Sequence, residues 1–112
     1  MRWPDAAEVL REVSDWAERQ GQVHPSLQRV AVFGSYGRGT AGVGSDLDLL
    51  LIDAAAEGPQ HGRLLPWPLE QLPLCCDALV LTPVELDTLM ASGQRMAREL
   101  QRDARWIWQR VT

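Results

Sequence analysis

The sequence predicts an α/β (α+β) domain of three to four strands flanked by helices, and three observations predict it. Two short apolar runs, Arg29 to Phe33 and Asp46 to Ile52, stand on either side of a glycine-rich turn. A third apolar run, Leu74 to Leu81, follows an irregular stretch, and apolar residues recur at helical spacing both before the first run and after the third. At 112 residues the chain is expected to be one domain, spanning 1–112, with a single core.

Taken in order, Pro4 to Gln20 reads as the first helix, with Val9, Leu10, Val13, Trp16 and Ala17 on one face. Asp5 and Glu8 have the spacing of a capping box, and Gly21 is a candidate terminator. His24-Pro25-Ser26 then turns the chain into the first strand. After the second strand, the stretch from Ala54 to Pro73 is rich in proline and glycine and shows no sustained period, which predicts a loop with one short helical turn. Thr82-Pro83 starts a helix whose apolar side is Leu86, Leu89 and Met90; Ser92-Gly93 interrupts it. Met96, Ala97 and Leu100 mark a last helix from Gln94 to about Arg102, and Arg105 to Arg110 alternates like a sheet-edge strand.

Composition narrows the function. The net charge is −4, and all 11 basic residues are arginine. This disfavours nucleic acid as the main partner. Cys75 and Cys76 are adjacent in an apolar run, which suits buried small hydrophobes in a reducing cytoplasm and not a disulfide or spaced zinc site. No segment approaches the roughly 20 apolar residues of a membrane span, and the charged N-terminal stretch does not read as a signal peptide. A soluble cytoplasmic protein without a membrane partner is expected.

The chemistry concentrates between Gly34 and Asp48. Ten residues separate Ser35 from Asp46, and Asp48 follows two positions later. In a strand those two carboxylates share a face, about 7 Å apart along the chain. Acids crowded at the mouth of a buried face repel and lose hydration unless a cation lies between them, and magnesium suits such oxygen ligands while keeping places open for phosphates. Asp77, the one charge in the third strand, is the candidate third acid if that strand pairs beside the second. Gly34 and Ser35 can aim backbone N–H groups and a hydroxyl at phosphate, and Arg38 can reach the same anion. Asp53, on the opposite face, reads as a turn residue. His24 and His61 read as solvent-exposed. Five tryptophans are numerous for the length; the core is their ordinary place, with Trp67 a candidate interface anchor.

The pattern Gly34-Ser35-x10-Asp46-x-Asp48, with Asp77 on a later strand, resembles the nucleotidyltransferase superfamily related to DNA polymerase β, and GSYGRGTAGVGSDLDLLL is similar to its minimal nucleotidyltransferase branch. The resemblance covers most of the chain and is weakest over residues 54–73. It implies a mixed sheet flanked by helices, Mg2+ held by Asp46, Asp48 and Asp77, and ATP bound at Gly34, Ser35 and Arg38. Asp77 would help deprotonate the acceptor. It also implies the role of an antitoxin in a type VII-like toxin–antitoxin pair, transferring AMP from ATP to a tyrosine of a HEPN RNase toxin. Relatives acting on small molecules generally carry an extra substrate-binding domain, for which 112 residues leave no room. Two alternatives stay open: an antitoxin that neutralises by binding with little catalysis, and a small-molecule transferase whose site is completed in a homodimer.

Overall fold

Every residue of Leu47–Asp53 is buried except Asp48, which is half-buried. A strand covered on both faces has this pattern. In the computed structural model, which describes residues 3–111, this segment is strand β2 of a four-stranded mixed sheet. The strands are β1 (Leu27–Phe33), β2, β3 (Cys76–Leu81) and β4 (Arg105–Gln109), in the spatial order β3-β2-β1-β4. β1 is antiparallel to both β2 and β4, and β3 lies parallel to β2. The helices are α1 (Ala6–Val23), α2 (Gly34–Arg38), α3 (Gln60–Arg63), α4 (Pro83–Ala91) and α5 (Arg95–Asp103).

Side-chain alternation splits the core in two. Val9, Val13, Trp16 and Ala17 of α1 pack with Trp67 and Leu72 against Val30, Val32, Leu47, Leu49 and Leu51. On the other face, Leu86 of α4 and Leu100 of α5 cover Ala31, Leu50 and Ile52. Replacing Leu49, Leu50 or Leu51, all fully buried, by Ala costs about 2–5 kcal/mol. Asp48 sits on the α4/α5 face, where the hydrocarbon of Leu50 and Ile52 gives way to open cleft.

Local signals explain most of the boundaries. Asp5 Oδ1 accepts the N–H of Glu8 at 2.8 Å and starts α1. Thr82 and Glu85 form a capping box behind Pro83 at the start of α4. Gly93, with φ +70°, lies in the break before α5. Gly21 does not end α1, which runs on to Val23. It is buried against the Trp108 ring, where a Cβ would collide, and Arg110 Nη2 donates to the carbonyls of Gly21 and His24 at 2.7 and 3.1 Å. The glycine therefore serves close packing, and an arginine from the chain's end satisfies the helix terminus.

Residues 54–73 contain α3 and a 3-10 turn at Leu69–Gln71. The side chain of Gln60 donates to Val80 O at 2.8 Å and accepts Val80 N–H at 3.0 Å, so an amide closes the outer edge of β3 as a neighbouring strand would. Trp67 is not an interface anchor: it is 4% exposed, inside the α1-side core. His24 is half-buried against it, with ring centroids 4.6 Å apart, while His61 is exposed. Cys75 is exposed and Cys76 half-buried, and both thiols are free. Asp53 closes a turn by accepting Ala55 N–H at 3.0 Å.

Arg63 clamps α3 to α4 by a two-pronged pair with Glu85, at 2.6 and 2.9 Å. This pairing, and then the Thr82 N–H, holds the Glu85 carboxyl down at about 2. Between about pH 4.5 and 2 the unfolded chain therefore binds the extra proton. The pair's stabilisation is full above that window and is lost as pH falls through it. Glu85→Gln is expected to lower the melting temperature at pH 7 and to shrink its acid-induced fall across the window, as measured by circular dichroism melts.

Candidate active site

β1 ends at Phe33, which stands opposite Asp48 of β2, and Asp48 is in turn the register partner of Asp77 on β3. Three adjacent strands thus present Phe33, Asp48 and Asp77 in one row, with neighbouring backbones about 4.8 Å apart. The parallel β2–β3 pairing puts Asp77, Leu79 and Leu81 on the face that carries Asp48, Leu50 and Ile52. Asp46 precedes β2 by one residue. It is delivered by a tight turn in which the Ser45 hydroxyl accepts Gly42 N–H at 3.0 Å and Ser45 N–H bonds to Gly42 O.

Immediately after Phe33 the chain turns through Gly34, at φ +61°, into α2. A Cβ at Gly34 would overlap Asp48 Oδ2, so glycine is required both by the backbone angle and by the carboxylate lying against it. Ser35 follows half-buried, and Arg38 is the last residue of the short helix. Gly34, Ser35, Arg38, Asp46, Asp48 and Asp77 all line one open cleft of about 430 Å3. All six residues singled out in the sequence thus meet at one place, a volume within the range of small-ligand sites.

The electrostatics of the cleft are strained on one side. The Asp48 carboxyl is pushed above the usual carboxylate range, first by burial and then by the neighbouring charges of Asp77 and Asp46, with Arg38 pulling the other way. Among the described residues no three His, Cys, Asp or Glu side chains converge closely enough to grip a metal ion as they stand. The donors nevertheless fit a hard divalent cation in kind. All are carboxylate oxygens, Asp48 is half-buried with like charges on two sides, and the cation would relieve that repulsion. Burial, and then the charges of Asp77 and Asp48, push the Cys76 thiol up to about 12, so it stays protonated as a packing residue.

Three polar residues of the cleft were not legible as site residues in the sequence: Glu99, Arg102 and Asp103, all from α5. Asp103 is buried and accepts Arg38 Nη1 at 2.9 Å and Arg102 Nε at 2.8 Å. Those pairings, Arg102 foremost, hold its carboxyl below the usual range. A signal existed, because Asp103 falls three residues after Leu100, where the apolar stripe of α5 calls for a hydrophobe.

Comparison with known proteins agrees with this fold. Residues 10–107 match the family model described as a nucleotidyltransferase domain. Among solved structures, the fold is similar to that of a Sulfolobus solfataricus protein provisionally named a nucleotidyltransferase, with a TM-score of 0.67 and 24% identity over 97% of this chain and 91% of that one. It is also similar to a chain of a toxin–antitoxin structure with AMP-PNP, with a TM-score of 0.58 and 17% identity over 87% of this chain and 73% of that one. A search of curated proteins returned no match.

Proposed function

Because the chain belongs to the nucleotidyltransferase domain family, we propose that it transfers AMP from ATP to a tyrosine of a HEPN RNase toxin and thereby acts as that toxin's antitoxin. The observation that carries this reading is the row made by Asp48 and Asp77 in register, with Gly34 fitted against the Asp48 carboxylate and Asp46 beside it. Together they would make a phosphate turn and a cation-seeking acid cluster side by side in one cleft.

Asp46, Asp48 and Asp77 would hold Mg2+, which when bound neutralises charge on the phosphates of the nucleotide. The chain's own residues do the rest. Ser35 and the backbone N–H groups that follow Gly34 orient the phosphate oxygens, while Arg38 offers a guanidinium to the same anion. The acceptor oxygen forms a bond to the α-phosphorus as the bond to the bridging oxygen breaks, and pyrophosphate leaves with that electron pair. The hydroxyl proton passes to the Asp77 carboxylate. An open cleft suits an acceptor presented by a second protein, and the likeness to a toxin–antitoxin chain supports this partner.

The test is to combine the purified chain, ATP and Mg2+ with a HEPN protein encoded beside it, and to find the AMP adduct by mass spectrometry. The adduct is expected on a toxin tyrosine with the wild-type chain and is expected to vanish with Asp46→Ala. In cells the same variant is expected to lose rescue from the toxin. Rescue that persists without the adduct would mean neutralisation by binding alone.

A further inference from the structure

Asp103 closes α5 in a position that a carboxylate should avoid. It is the last residue of the helix, where the backbone dipole is negative, and its side chain is 2% exposed. The stripe of Ala97 and Leu100 would be continued equally well by a hydrophobe. What the carboxylate gains is two arginines. Its Oδ2 accepts Arg38 Nη1 at 2.9 Å and Arg102 Nη2 at 3.0 Å, and its Oδ1 accepts Arg102 Nε at 2.8 Å.

Both guanidiniums stay partly in water, with side-chain exposures of 43% for Arg38 and 64% for Arg102, and both line the cleft that holds Asp46, Asp48 and Asp77. One buried anion thus fixes two cations, and the trio keeps a net positive charge at the cleft. The support is rigid, because Gly37 of α2 rests on the Asp103 carbonyl so closely that a Cβ there would overlap it. The segment bearing Gly34, Ser35 and Arg38 is therefore seated on the end of α5. A guanidinium so anchored keeps its remaining N–H groups in a set direction, which suits the planar recognition of phosphate.

We propose that Asp103 is a positioning residue that holds Arg38 and Arg102 as a two-guanidinium arm for the phosphates of the nucleotide, with Arg102 a phosphate-binding residue in its own right. This rests on the cleft being a nucleoside triphosphate site.

The test measures binding of a fluorescent ATP analogue with Mg2+ to the wild-type chain, Asp103→Asn, Arg102→Gln and the double variant. Turnover with ATP and circular dichroism melts accompany it. Each single substitution is expected to weaken binding by about tenfold or more. The double variant is expected to bind no worse than Asp103→Asn, because the two residues act as one unit. In turnover, KM for the nucleotide rises while kcat changes less. A merely structural Asp103 would lower the melting temperature without that split and would leave Arg102→Gln binding normally. Arg102 lies on the helix surface, so its substitution reports on the arm even if Asp103→Asn fails to fold. Wild-type affinity in Arg102→Gln, or independent and additive losses, would overturn the arm alone. Absence of nucleotide binding by the wild-type chain would overturn the nucleotide reading and the arm with it.

Discussion

Asp48→Asn is expected to reduce nucleotidyl transfer by a factor on the order of 10³ while raising the melting temperature of the metal-free protein. The two effects share a cause. Burial, Asp77 and Asp46 all raise the Asp48 carboxyl above its unfolded value. Over the interval between those values the folded chain binds more protons than the unfolded one, so stability falls as pH rises through it, and above it the ionised group opposes folding in full. The amide keeps the shape and removes the charge, relieving the folded state at neutral pH. It also removes the anionic oxygen by which the proposed divalent cation, and through it the phosphates, would be held. Melting and turnover should therefore move in opposite directions, the usual mark of a group retained for chemistry. Adding Mg2+ should raise the melting temperature of the wild-type chain and leave the variant nearly unmoved. A variant that is less stable and still active would contradict the assignment.

Gly34→Ala is expected to cost stability and activity together. The left-handed backbone angle, φ +61°, costs a non-glycine residue about 1–2 kcal/mol. The new methyl would also overlap Asp48 Oδ2, so the carboxylate or the turn must shift. Misplacement by about 1 Å at a reacting centre reduces the rate by about 100-fold. Gly39 also has a positive φ but has open space around it, so Gly39→Ala should pay the backbone cost while keeping activity far better. Comparing the two by melts and by pyrophosphate release separates strain from the loss of Asp48 geometry.

The hairpin motif was legible in the sequence because its constraints are local. Alternation puts Asp46 and Asp48 on one side, and the glycine turn precedes them at fixed spacing. Asp77 was legible only as an anomaly, since placing it beside Asp48 needed the parallel pairing of β2 and β3, which no local signal specifies. Gly21 misled for the same reason: its partner, Trp108, is distant in the chain, and packing overrode the terminator signal. Trp67 looked loose because prolines surround it, yet the irregular segment folds inward to fill the α1-side core. Asp103 offered only a break in the apolar stripe of α5, and its role depends on Arg38, which is distant in the chain and meets it only in the fold.

The most direct test of the central claim uses ATP labelled at either the α- or the γ-phosphorus, supplied with Mg2+ and the acceptor protein. The predicted result is transfer of the α label to the acceptor with release of pyrophosphate, abolished by chelation and by Asp46→Ala or Asp48→Asn. Transfer of the γ label, or α-label transfer that survives both substitutions, would contradict the account.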